Sequence, residues 1–176
     1  KDNILMEAND RNAIEVYAEI LKKTVDDVKR NILNYGMNYP IGILGPDVNY
    51  LIVSPFAIAN DKYIRCAAFL NKGMTIDIVQ ASKQKMLKAT RLISDINKRK
   101  TQNSVALSLC FSCSMRKIKL GNDYIKESMI ATGELKSNTL VGIYGYAEYI
   151  TPEDGQARMV NETFTSITFS NKLIND

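Results

Sequence analysis

One segment limits the possible folds more than any other: Ser104 to Phe111 reads SVALSLCF and runs directly into Ser112, Cys113, Ser114 and Arg116. Val105, Leu107, Leu109 and Phe111 alternate with small or weakly polar residues, the period of two of a half-buried strand. The following stretch, Ile118 to Thr132, has the makings of a helix, and Thr139 to Tyr146 reads as another strand. Strand–helix–strand order predicts a parallel pair with a right-handed crossover. A hydroxyl, a thiol and a guanidinium then gather at the carboxyl end of a strand, beside the free N–H groups of the next helix, where open α/β sheets bind small molecules.

Ile4 to Glu7 reads as an entry strand. Asn9 or Asp10 is placed to cap a helix carrying Ala13, Ile14, Val16, Tyr17, Ile20 and Leu21 at helical spacing. Thr24 and Asp27 resemble a capping box for a second helix with Val25, Val28 and Ile32 inward and Gly36 at its end. Four strand-like segments follow as an antiparallel meander, 40–44, 50–59, 63–70 and 74–80, with turns at Asn60-Asp61 and 71–73, and Pro55 marking an edge or a bulge. Ser82 caps a long helix to about Lys100 with Met86, Ala89, Ile93 and Ile96 as its buried stripe. A polar loop over 151–157 precedes a last strand from Thr163 to Phe169. The expected class is α+β: a mixed sheet with an antiparallel meander and one β-α-β unit, helices packed on the sheet.

At 176 residues and 45% apolar, the chain can bury one core, and residues 1–176 read as a single domain. Its first residue, Lys1, suggests a piece excised from a longer chain. The absence of a long apolar stretch or a leader-like start, together with an odd count of three cysteines, points to a cytoplasmic protein without a disulfide framework. Histidine is absent, which removes Ser-His and Cys-His nucleophile pairs and every histidine metal site. Neither G-x-x-x-x-G-K nor G-x-G-x-x-G occurs, and no cofactor is expected. A net charge of +4 is too small to argue nucleic acid, and the lysines and arginines between Lys83 and Lys100 read as a solvated helix face.

The residues after the strand support two chemistries. Cys113, three residues before Arg116 and at a helix start, is placed to favour thiolate, which allows a thiol enzyme or redox protein; no histidine stands by as its base. Cys110, inside the strand, reads as core. Alternatively Ser112, Cys113, Ser114 and Arg116 form an anion-binding elbow, with Glu148 at the neighbouring strand end to meet an ammonium. A site with one positive and one negative pole suits an amino acid. The plain alternatives, Arg116 in solvent and Glu148 paired with a lysine, weigh equally. Tyr144, Tyr146 and Tyr149 supply flat walls with polar tips, and of Tyr144 and Tyr146, which share a face, at least one is in the core. Gly142 and Gly145 mark a close backbone approach or a bulge. Asn161 either ties its loop to the elbow or merely starts the last strand.

Phe111-Ser112-Cys113, the run Gly142-Ile143-Tyr144-Gly145-Tyr146-Ala147-Glu148, and Asn161-Glu162-Thr163 resemble the FIST C-terminal domain in order and spacing. Asn12-Ala13, Val16-Tyr17, and Gly73-Met74 leading toward the Ser82 helix extend the resemblance over nearly the whole chain. It implies a non-enzymatic sensory domain of intracellular signal transduction that binds small ligands such as amino acids or related carboxylates. It also implies an N-terminal FIST partner domain and signalling output domains as partners, and neither nucleic acid nor membrane. The thiol enzyme and a protein-interaction scaffold remain the alternatives.

Overall fold

The structure is a computed structural model that describes residues 3–44, 50–137, 139–146, 148–150 and 158–172. The loop 151–157 and Ala147, both singled out in the sequence, lie outside the described residues. The α+β class expected from the sequence is what forms. The chain divides into two compact units, Lys1–Ala81 and Ser82–Asp176. No helix among the described residues is long and apolar enough to cross a membrane.

The first unit opens with three short strands, β1 (Ile4–Leu5), β2 (Glu7–Ala8) and β3 (Arg11–Asn12). Asn9 and Asp10 adopt positive φ in the β2–β3 turn, and the helix cap is instead Asn12, whose side chain accepts from the Ile14 N–H. Helix α1 (Ala13–Leu21) follows, then α2 (Val25–Asn38), capped as expected by Thr24 accepting from the Asp27 N–H at 3.2 Å. Gly36 does not end α2. It lies inside the helix where a Cβ would come within 1.8 Å of the Pro55 carbonyl oxygen, so the missing side chain lets helix and strand approach.

Strands β4 (Ile41–Leu44) and β5 (Tyr50–Val53) pair antiparallel, with β8 (Asp77–Ile78) on the other side of β4. Strands β6 (Pro55–Ala59) and β7 (Tyr63–Cys66) form a second hairpin, closed by Asn60 and Asp61 at positive φ, and β1 extends that sheet. The segment expected as one strand over 50–59 therefore divides at Ser54 between two sheets, and the register slip between Pro55 and Ala57 is the bulge that proline signalled. Ala13, Ile14, Tyr17, Val28, Ile41 and Ile64 fill the core between these sheets and helices.

The second unit begins with α3 (Lys83–Lys100), capped by Ser82, whose hydroxyl accepts from the Lys85 N–H at 3.2 Å. Next come β9 (Val105–Cys113), α4 (Ser114–Leu120), a single 3-10 turn over Gly121–Asp123, and α5 (Tyr124–Leu135). The helix expected over 118–132 is thus two helices, because Gly121 at φ +58 ends the first. Strand β10 (Thr139–Gly145) pairs parallel to β9, as the crossover required, and β11 (Glu148–Ile150) pairs with β12 (Arg158–Val160). Strand β13 (Phe164–Ser170) runs antiparallel on the far side of β9, making a mixed sheet in the order β10-β9-β13.

The buried face of that sheet is not the one the alternation suggested. Ser108, Cys110 and Ser112 are buried, whereas Leu107, Leu109 and Phe111 are only half-buried, and their cross-strand neighbours Val141, Ile143, Ile167 and Phe169 are exposed. The stripe of α3 is shifted likewise. Ala89 is exposed and the face in the interior is Met86, Thr90 and Ser94, with Asn97 donating to Ser166 Oγ at 2.7 Å. Both inversions have one cause: the interior between helices and sheet is built around polar side chains.

Candidate functional site

The polar interior starts from the elbow. Because side chains alternate along β9, Ser112 faces the helices while Cys113 faces the opposite side. Helix α4 then carries Arg116 back beneath the helices, and the break at Gly121 turns α5 so that Glu127 descends onto the same spot. Arg116 and Glu127 are 3% and 1% exposed. Arg116 Nε donates to Glu127 Oε1 at 2.9 Å, and Nη2 also contacts that oxygen. Nη2 further donates to the Met86 carbonyl at 2.9 Å and to Thr90 Oγ1 at 3.0 Å, and Nη1 donates to the Glu162 carbonyl at 3.3 Å. Ser112 Oγ donates to Glu127 Oε2 at 2.6 Å. A guanidinium and a carboxylate out of water are stable only when paired and hydrogen-bonded, and this arrangement supplies partners from α3, α5, β9 and the turn before β13.

Beside this pair lies a cavity of about 300 Å³ between α5 and the β9–β10 face. Its polar end is Ser112, Glu127 and Tyr144; its apolar end includes Cys110, Ala131 and Leu140. Leu140, Gly142 and Tyr144 are alternate residues of β10 on the cavity side, and a Cβ at Gly142 would meet only Leu140 Cδ2, at 3.9 Å. The missing side chain there leaves the space open. At the rim the rings of Tyr124 and Tyr144 meet edge to face, 6.4 Å between centroids, with Lys117 Nζ over both at 5.1 and 5.4 Å. Burial, reinforced by the Glu127 carboxylate, pushes the Tyr144 phenol above its ordinary value and keeps it a neutral donor. A second hollow of about 330 Å³, over Arg91, Lys126 and Met129 on the outer side of α3 and α5, is bridged by the exposed Arg91–Glu134 ion pair and has no buried polar group in its walls.

The FIST C domain family matches residues 13–151 of this chain. The chain belongs to that family. FIST C domains are sensory domains of signal transduction. The match spans β9, α5 and β10, and so every residue that lines the cavity except Phe164. No curated protein and no solved structure matches the chain.

In this FIST C domain the residues expected at one elbow are distributed over three places. Ser112 and Tyr144 line the cavity. Arg116 lies behind Glu127, not in solvent, and its guanidinium is engaged by protein acceptors. Cys113 and Glu148 form a separate buried cluster. There, Glu148 Oε2 accepts from Thr163 Oγ1 at 3.3 Å, the Cys113 thiol lies against the carboxylate, and Oε1 has no partner among the described residues. Among the described residues Glu148 pairs with no lysine; burial raises its carboxyl above the ordinary value, opposed by hydrogen bonds from Thr163 and Cys113 and by the Arg116 charge. Burial also raises the Cys113 thiol, which corrects the expected thiolate: desolvation outweighs the N–H groups of Met115 and Glu162. Cys110 is pushed up to about 11 for the same reason and is core, as expected. Ser114 is half-buried at the start of α4. Tyr146, past the end of β10, is 97% exposed, so of the two tyrosines only Tyr144 reaches the interior. Asn161 is half-buried, and the ties from its loop to the elbow are made by its neighbours: Arg116 to the Glu162 carbonyl, and the Cys113 N–H to the Thr163 carbonyl at 3.0 Å.

Glu127 and Thr90 are not among the residues that the sequence pattern singles out. A signal existed in each case. Glu127 shares a helix face with Ala131 and Leu135, and Thr90 shares one with Met86, so each is a polar residue on an apolar stripe. Such a residue is buried only with a partner, which makes the pairing with Arg116 a deducible candidate.

Proposed function

We propose that this FIST C domain is a non-enzymatic sensor that holds a small molecule between α5 and the β9–β10 face. The observation that carries the reading is the cavity of about 300 Å³ with two buried polar side chains, Ser112 and Glu127, in its wall. A scaffold with its crevice filled by its own side chains would leave no such space. The thiol enzyme loses its premise, since Cys113 is buried with a raised thiol. The amino-acid class of ligand rested on Arg116 as an anion clamp and Glu148 as its opposite pole; the first is engaged by Glu127 and the second does not line the cavity.

A signal would arise by differential affinity. Helix α5 forms one wall and is joined to the sheet by the α4 turn on one side and β10 on the other, so a ligand that fills the gap favours the arrangement in which α5 is seated. The test is a small-molecule thermal-shift screen on wild type and Gly142→Leu, whose side chain would occupy the cavity. Compounds should raise the Tm of wild type and lose that effect in the variant while its circular dichroism is unchanged. Shifts that persist in Gly142→Leu would place the ligand elsewhere and overturn the site.

A further inference from the structure

We infer that the ligand of this cavity is an uncharged molecule with one hydrogen-bond donor on a compact apolar body, such as an aromatic alcohol or phenol, and not an ammonium or a carboxylate. The inference rests on the cavity being the ligand site and adds its chemical class. Three features of the wall decide it.

First, the acceptor is ready-made. Glu127 Oε1 receives Arg116 and Thr90, whereas Oε2 receives one short bond, from Ser112. A carboxylate oxygen takes about two hydrogen bonds, which leaves Oε2 an acceptor position beside the cavity. Tyr144 Oη lies within hydrogen-bond influence of the Glu127 carboxylate and donates to the Tyr124 carbonyl at a long 3.4 Å, a weak hold that a ligand hydroxyl can displace. A donor reaching Oε2 gains a charge-assisted hydrogen bond.

Second, neither ion is matched. Glu127 is already neutralised by Arg116, so an entering ammonium gives up its water shell without meeting an unbalanced negative charge. The Tyr124 and Tyr144 rings at the rim already carry the Lys117 ammonium, which repels a second cation there. A carboxylate would face the Glu127 carboxylate directly, with the Arg116 guanidinium turned toward Glu127, the Thr90 hydroxyl and backbone carbonyls.

Third, away from that end the wall is Cys110, Ala131, Leu140 and Phe164, and the Cys110 thiol, raised to about 11, is neutral at ordinary pH. Such a surface takes a hydrocarbon or aromatic body, and the Ser128 hydroxyl, also in the wall, already donates to the Ile125 carbonyl at 2.9 Å.

Four probes with one ring separate these terms: benzyl alcohol, toluene, benzoate and benzylammonium, titrated into the full chain by NMR. Benzyl alcohol should bind tightest, with toluene about tenfold weaker for want of the donor and both ions weaker than toluene. Ring-proton NOEs to the Ala131 and Leu140 methyls in wild type locate the probe even if Gly142→Phe fails to fold; if it folds, binding should vanish. Benzylammonium or benzoate binding tightest at those methyls, or toluene equalling benzyl alcohol there, overturns the ligand class while the site stands. Probe contacts elsewhere, or no binding by any probe, overturn the site and the class together.

Discussion

Arg116 on α4 and Glu127 on α5, 11 positions apart, meet as an ion pair with side chains 4% and 2% exposed, and Ser112 and Thr90 complete it from β9 and α3. The pair ties the crossover helices to the sheet. Removing either partner strands a charge in the interior, which costs about 3–5 kcal/mol, whereas replacing both by apolar residues of similar size is near neutral. Arg116→Ala and Glu127→Ala should each lower the unfolding free energy in urea by that amount, and the double variant Arg116→Met, Glu127→Leu should recover most of it. Single variants losing under about 1 kcal/mol would mean a solvated pair.

Gly36 and Gly133, both inside helices, should respond oppositely to the same change. A Cβ at Gly36 collides with the Pro55 backbone, so Gly36→Ala should destabilise by about 1–3 kcal/mol even though alanine favours helix. Gly133 in α5 has nothing within 4 Å of its would-be Cβ, and Gly133→Ala should stabilise by about 0.5–1 kcal/mol. Equal signs in a denaturation series would contradict the close approach of α2 to β6.

All three thiols are buried, with Cys66 pushed up to about 12, Cys110 to about 11 and Cys113 also raised. Iodoacetamide at about pH 8 should therefore label the native chain only at its rate of opening, and all three sites quickly in denaturant. Rapid native alkylation confined to Cys113 would revive the thiol enzyme.

Glu148 carries a pH dependence whose sign follows from its raised carboxyl. Between its ordinary value of 4.5 and the raised one, the folded chain keeps a proton that the unfolded chain has released. The contribution to stability is complete below that ordinary value and falls as pH rises through the raised one. Glu148→Gln should thus be more stable than wild type at about pH 7, with the advantage shrinking toward about pH 4. A pH-independent difference in urea midpoints would show that the carboxyl is solvated.

Much of the fold was legible because it follows from neighbours in sequence. The Thr24 and Ser82 caps, the Asn60-Asp61 turn, the Pro55 bulge and the parallel pairing of β10 with β9 each rest on a few adjacent residues or on the helical connection between two strands. The errors share another origin. Asn9-Asp10 satisfies both cap and turn chemistry, and Gly36 both a helix end and a close approach; only the element packed against them chose.

The sequence by itself determined the family, the α+β class, the crossover and the presence of Ser112 and Tyr144 on cavity-forming strands, since alternation, capping and turn preference act over a few residues. Tertiary structure alone decided that the hydroxyl face of β9 lies inside, that Arg116 belongs to Glu127, and that Glu148 stands apart from the cavity. A buried charge takes whichever partner packing brings within hydrogen-bond reach, and no local pattern encodes a distance between helices.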